Sequence, residues 1–128
     1  MEKVNVLVVD DSEQFLKAFC KFLESDADFN ITGKSKSGEE AIEMANLLKP
    51  DLVLMDYSMP GIGGIEALKT IKSKLSTIKS IMITNHNEQE YRQQAELVGA
   101  NGFILKSDIN EDTLNLIKTI IKHKPELK

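Results

Sequence analysis

At 128 residues, 41% hydrophobic and 28% charged, the chain is long enough for one domain with a substantial core and too ordinary for a disordered or fibrous protein. Its formal net charge of −4 argues against a surface that grips a phosphate backbone, while leaving room for a DNA-binding segment outside this chain. The single cysteine, Cys20, excludes an intrachain disulfide, and with no signal-peptide core or membrane-length apolar run the expected setting is cytoplasmic.

The first element is the run NVLVV, residues 5–9, too short for a buried helix and apolar enough for a strand covered on both faces. It ends abruptly in Asp10 and Asp11. Ser12 then serves as N-cap of a helix over residues 13–24, with Phe15, Leu16, Phe19, Phe22 and Leu23 on one side and Glu13, Lys17, Lys21 and Glu24 on the other. The segment FNITGKS, residues 29–35, is more polar and reads as an edge strand. Ser37 and Glu40 form a capping box for a second helix, whose apolar line is Ala41, Ile42, Ala45 and Leu48 before Pro50. The third strand, LVLM, runs into Asp56, and the third helix carries Ile65, Leu68, Ile71 and Leu75. SIMIT ends at Thr84, and the helix after it uses Tyr91, Ala95 and Val98, with Gly99 as its stop. GFILK ends at Lys106. The last helix buries Leu114, Ile117 and Ile121, opens with Glu111 and Asp112 and closes with Lys122 and Lys124, a charge order that suits the helix dipole.

Strand and helix alternate five times, which predicts an α/β fold: a five-stranded parallel sheet with helices on both faces and no internal domain boundary. The residues do not dictate the strand order, so the known flavodoxin-like order 2-1-3-4-5 is taken over as the expectation. In that order the crevice for ligands lies at the carboxyl ends of the first and third strands. Asp10, Asp11 and Asp56 would meet there, with Thr84 and Lys106 at neighbouring strand ends. Two carboxylates ~5 Å apart repel by about 3 kcal/mol at an effective dielectric of ~20. Three such pairs exceed what one lysine offsets, so either an acid is protonated or a hard divalent cation sits among them. Oxygen ligands without a histidine or cysteine pair favour Mg²⁺ over zinc. A carboxylate, such an ion, a lysine and a hydroxyl at one point suit phosphoryl transfer to a carboxylate nucleophile.

Four motifs in order, VVDDS (8–12), LMDYSMPGIGG (54–64), MITN (82–85) and GFILKS (102–107), carry a resemblance. Over essentially its whole length the chain resembles a CheY-like response-regulator receiver domain of two-component signalling. The resemblance implies that Asp56 accepts a phosphoryl group from the phosphohistidine of a sensor histidine kinase. It implies Mg²⁺ ligation by Asp11, Asp56 and the backbone carbonyl of Ser58, with Asp10 acting through water. Lys106 and Thr84 would each contact a phosphoryl oxygen, and Phe103 would be a switch aromatic that rotates inward as Thr84 shifts. Output would be conformational, through the face of the last two helices and last strand, where Tyr91, Gln94, Ile109 and residues 111–122 are candidates. A homodimer through that face is one expectation. DNA would be reached only through an output domain outside this chain, and no membrane is involved. Residues 1–124 would form the receiver and 125–128 a tail or the start of a linker. Such a protein is a self-phosphorylating switch without a turnover substrate.

Three positions depart from the family pattern. Asn85 stands where a small residue is usual and would narrow access to Asp56. Gly63 replaces a frequent aspartate and should loosen the loop after Pro60. Ser107 replaces a proline, which would make a cis bond after Lys106 costly. The nitrate-response, LuxR-type branch shares that last departure, which hints at a helix-turn-helix module in the full protein.

Plainer readings stand beside these: a solvated turn for Asp10 and Asp11, a solvated Lys106, an ordinary strand threonine at 84, core roles for Phe103 and Cys20. His123 reads as a helix-end cation, and His86 would overhang the pocket and influence the lifetime of the phosphoryl group. The alternatives are a Mg²⁺-dependent phosphohydrolase with an aspartyl nucleophile, an FMN carrier and a docking-only receiver. The first wants Asp-x-Asp and a cap domain, the second a hydroxyl- and glycine-rich loop, and intact Asp11, Asp56 and Lys106 argue against the third.

Overall fold

The computed structural model describes residues 3–85 and 89–122. Its elements run β1 (Val4–Val9), α1 (Glu13–Glu24), β2 (Phe29–Ser35), α2 (Gly38–Leu48), β3 (Leu52–Asp56), α3 (Gly63–Lys74), β4 (Lys79–Thr84), α4 (Gln89–Leu97), β5 (Gly102–Leu105) and α5 (Thr113–Lys122). All strand pairs are parallel, and the order is β2-β1-β3-β4-β5. The chain therefore reverses direction across the sheet between β1 and β3, which opens a crevice at their carboxyl ends.

Alternation along each strand divides the core into two layers. Val6, Val8, Leu52, Leu54, Ile81, Ile83 and Ile104 face α1 and α5, where Leu16, Phe19, Cys20, Leu23 and Ile117 meet them. Leu7, Val9, Val53, Met55 and Met82 face the other way, against Ala41, Ala45, Ala67, Leu68, Ile71 and Ala95 of α2, α3 and α4. A strand with apolar residues at both parities is what burial on both faces requires. Cys20 is a buried core residue.

Four local expectations are corrected. Ser37 Oγ accepts the Glu40 N–H at 3.1 Å, but the Glu40 carboxylate takes the N–H of Lys36, also at 3.1 Å, because the Ser37 N–H turns to Ser35 Oγ. Leu48 is 39% exposed: it lies over Gly33 of edge strand β2, at the margin of the sheet, before the helix ends in a left-handed residue at Lys49. Glu111 and Asp112 precede α5 instead of opening it. Asn110 and Thr113 close a turn there, Asn110 N–H to Thr113 Oγ1 and Thr113 N–H to the Asn110 carbonyl. Lys106 has left the strand and begins a short 3-10 turn over Lys106–Asp108.

Candidate acidic site at the carboxyl edge of the sheet

Register brings the acids together. Val9 pairs with Met55, so the next residues along the two strands, Asp10 and Asp56, are neighbours where β1 and β3 end. Asp10 is tied down on both sides: its N–H donates to the Ser35 carbonyl at 3.0 Å, and its Oδ1 accepts the Ser12 N–H at 2.8 Å. Ser12 in turn caps α1, its hydroxyl accepting the Phe15 N–H. The expected solvated turn is thus only half right: the turn and cap exist, but Asp10 is buried while Asp11 faces solvent. One carboxylate oxygen from each of Asp10, Asp11 and Asp56 lies within 4.8 Å of the others.

Lys106 joins them. Its Nζ is 2.7 Å from Asp10 Oδ2 and 3.9 Å from Asp56 Oδ1. Asp56, the last residue of β3, shares parity with Leu54, which faces α1 and α5, and the Lys106 ammonium reaches the same side, over the Phe15 ring of α1. Thr84 closes β4 at the next strand end, buried, in register with Leu105 and one residue past the partner of Asp56. Ser58 follows in the turn after β3, and its N–H donates to the Asp56 carboxylate.

Three carboxylates against one ammonium leave an excess of negative charge in a half-dry pocket. Asp56 carries the cost. Burial, then the charge of Asp10 and, less strongly, of Asp11, push it up to about 7, against the opposing pull of Lys106 and the Ser58 N–H. Asp10 Oδ2 is buried and, although the ammonium is close, has no aligned hydrogen-bond donor. Hard oxygen donors, excess negative charge and a buried oxygen with coordination to spare fit a divalent cation such as Mg²⁺. Asp11 and Asp56 are the carboxylates that would hold it.

The loop after Asp56 is fixed by glycines. Gly63 has φ +77°, a left-handed conformation that an aspartate adopts only with strain. Gly64 packs directly on the Asp56 backbone, where a Cβ would meet the Asp56 carbonyl oxygen. The Lys106–Ser107 peptide is trans.

Other expected residues are distributed differently. Phe103 is half-buried against the layer of α2 to α4, and the Arg92 guanidinium sits 4.5 Å over its ring. Tyr91 packs edge-on to Tyr57 with centroids 4.5 Å apart, and the Tyr57 hydroxyl donates to Gln94 Oε1 at 3.0 Å. Ile109 packs in the layer shared by α1 and α5, beside Phe15 and Phe22. It follows the 3-10 turn after β5, its N–H donating to the Lys106 carbonyl. His86 and His123 lie outside the described residues. Sequence reasoning assigned Phe15 to the core alone, yet its ring centroid is 4.2 Å from Lys106 Nζ.

A doubly wound parallel sheet with buried acids and a lysine at its switch point defines a flavodoxin-like α/β domain with a charged cluster at its carboxyl edge. Comparison makes this specific. The model of the response regulator receiver domain matches residues 6–120. The chain is 36% identical over 115 residues to response regulator protein VraR of Staphylococcus saprophyticus, covering 90% of this chain and 55% of that one. It is 33% identical over 117 residues to response regulator UvrY of Escherichia coli, covering 91% and 54%. The signal receiver domain of the response regulator NarL from Mycobacterium tuberculosis superposes with a TM-score of 0.90 at 29% identity, over 97% of this chain and 100% of that one. The chain belongs to the response-regulator receiver family. It spans about half the length of the curated relatives it matches. Among the described residues no helix is long and apolar enough to cross a membrane.

Proposed function

We propose that this chain is a phosphorylatable switch in which Asp56 takes a phosphoryl group from the phosphohistidine of a cytoplasmic sensor kinase. An Asp56 oxygen bonds to phosphorus as the histidine N–P bond breaks. A Mg²⁺ ion would neutralise charge on the transferred group. Asp11, Asp56 and the Ser58 carbonyl would hold it, with Asp10 acting through water. Lys106 supplies a second positive charge beside Asp56, and Thr84 offers a hydroxyl at the next strand end. Phe103 then changes its packing, and the face of α4, β5 and α5 changes with it. That face would serve a homodimer or an output region, such as a DNA-binding one, in the part of the relatives that this chain does not span. Residues 1–124 would be the switch and 125–128 its tail or the start of a linker.

The observation that carries the reading is the meeting of three carboxylates within 4.8 Å, with Lys106 at 2.7 Å and 3.9 Å from two of them. Intact mass after incubation with acetyl phosphate tests it. Wild type should gain one phosphoryl group only with Mg²⁺, and Asp56→Asn should gain none. No gain in wild type would leave a docking-only receiver. Steady turnover of p-nitrophenyl phosphate would favour a phosphohydrolase.

A further inference from the structure

Phe15 stands outside the acid cluster and the family motifs, yet its ring covers the lysine that serves them. The Lys106 ammonium has Asp10 at 2.7 Å, Asp56 at 3.9 Å and the Phe15 centroid at 4.2 Å. A cation at that distance from an aromatic face is attracted by the ring quadrupole, more strongly where water is excluded. Water is largely excluded here, since the lysine side chain is 15% exposed. The ring is itself held in place. It stacks on Phe19 at 5.1 Å and 16°, and Phe19 is buried in the core and stacks in turn on Phe22. The 15–19–22 spacing along α1 thus builds a ladder from the core to the ammonium.

We propose that Phe15 is a positioning residue for phosphoryl transfer: its π face holds the Lys106 ammonium at the carboxylates of Asp10 and Asp56. A lysine stem has four rotatable bonds, and without the ring the ammonium gains rotamers that reach water. The proposal rests on the reading of Asp56 as phosphoacceptor, and it concerns a contact of this chain's own residues.

Two variants separate the π face from mere bulk. Phe15→Leu keeps an apolar side chain without a quadrupole, and Phe15→Trp restores an aromatic face. With acetyl phosphate and saturating Mg²⁺, F15L should slow phosphorylation of Asp56 about three- to tenfold, and F15W should return it to within about twofold of wild type. NMR of the Lys106 ε-methylene gives an independent readout. In wild type its protons should be displaced upfield of other lysines by the ring current, and F15L should remove the displacement. An F15L rate equal to wild type, or an F15W rate as slow as F15L, overturns the positioning role. An undisplaced Lys106 signal in wild type overturns the contact. Wild type that takes up no phosphoryl group at all refutes the Asp56 reading and the positioning role with it, while the Lys106 signal still decides the contact.

Discussion

Replacing Asp56 by asparagine should stabilise the metal-free protein, and by an amount that depends on pH. The native carboxyl is raised from 3.8 to about 7, chiefly by burial and by Asp10. In the unfolded chain it titrates near its ordinary value. Below both values the acid is protonated in either state and contributes nothing. Between them the native state keeps a proton that the unfolded state has released, so stability falls as pH rises. Above about 7 the full penalty is present. A gap of about three units, at ~1.4 kcal/mol each, gives ~4 kcal/mol. Asp56 is 6% exposed but lines a half-dry pocket, so ~4 kcal/mol is the upper end of the effect. Against the 5–15 kcal/mol typical of a whole domain, that is easily measured. Urea unfolding of wild type and Asp56→Asn in EDTA, at half-unit steps from pH 4 to pH 8.5, would give the difference. It should grow from near zero to ~4 kcal/mol in favour of the variant and then level off. Millimolar Mg²⁺ at pH 8 should recover much of the wild-type deficit and do little at pH 5. A difference that is flat across the range would refute the account of a buried, mutually repelling acid cluster.

Three further outcomes are expected. Asp11→Asn should weaken Mg²⁺ binding at least tenfold, measured as the cation concentration that gives half of the thermal stabilisation, while leaving metal-free stability equal or higher. Tyr57→Phe and Gln94→Ala should each cost about 1 kcal/mol in urea unfolding and, in a double-mutant cycle, couple by about 0.5–1 kcal/mol, because one hydrogen bond joins the turn after Asp56 to α4; strict additivity would show that the bond contributes nothing. Gly64→Ala should cost ~3 kcal/mol or more, since its Cβ would press on the Asp56 carbonyl and not on a side chain able to move aside. A Gly64→Ala protein of wild-type stability would mean that the loop relaxes freely.

The fold was legible because every strand but the polar edge strand β2 is a short apolar run that stops at a charged or hydroxyl residue, and each helix has a 3.6-residue stripe. Asp10, Asp56, Thr84 and Lys106 could be placed because all are at strand ends, and strand ends of a parallel sheet share one edge. What the residues alone could not supply was the order of the strands, which decides whether Asp10 and Asp56 are neighbours. The packing of Ile109 beside Phe15 and Phe22 was not legible because it belongs to no periodic segment and follows a 3-10 turn that leaves no pattern. Leu48 was overcounted because helical rhythm reports the side of a helix and not how far the sheet extends beneath it.

Phe15 is the more instructive miss. An aromatic on the apolar side of an amphipathic helix reads as core, and for Phe19 that is all it is. A signal was nevertheless present in parity. Once β1 and β3 share a sheet, residue 56 falls on the same face as residues 8 and 54, whose neighbours are α1 and α5. The first turn of α1 starts two residues after Asp11, so a half-buried apolar residue there borders the charged edge as well as the core. Whether it meets a cation or a carboxylate is then set by which side chain reaches farthest. Lysine, on a four-carbon stem, is the group that arrives at the ring, and an aromatic face is the one apolar surface that favours a positive charge over a neutral contact.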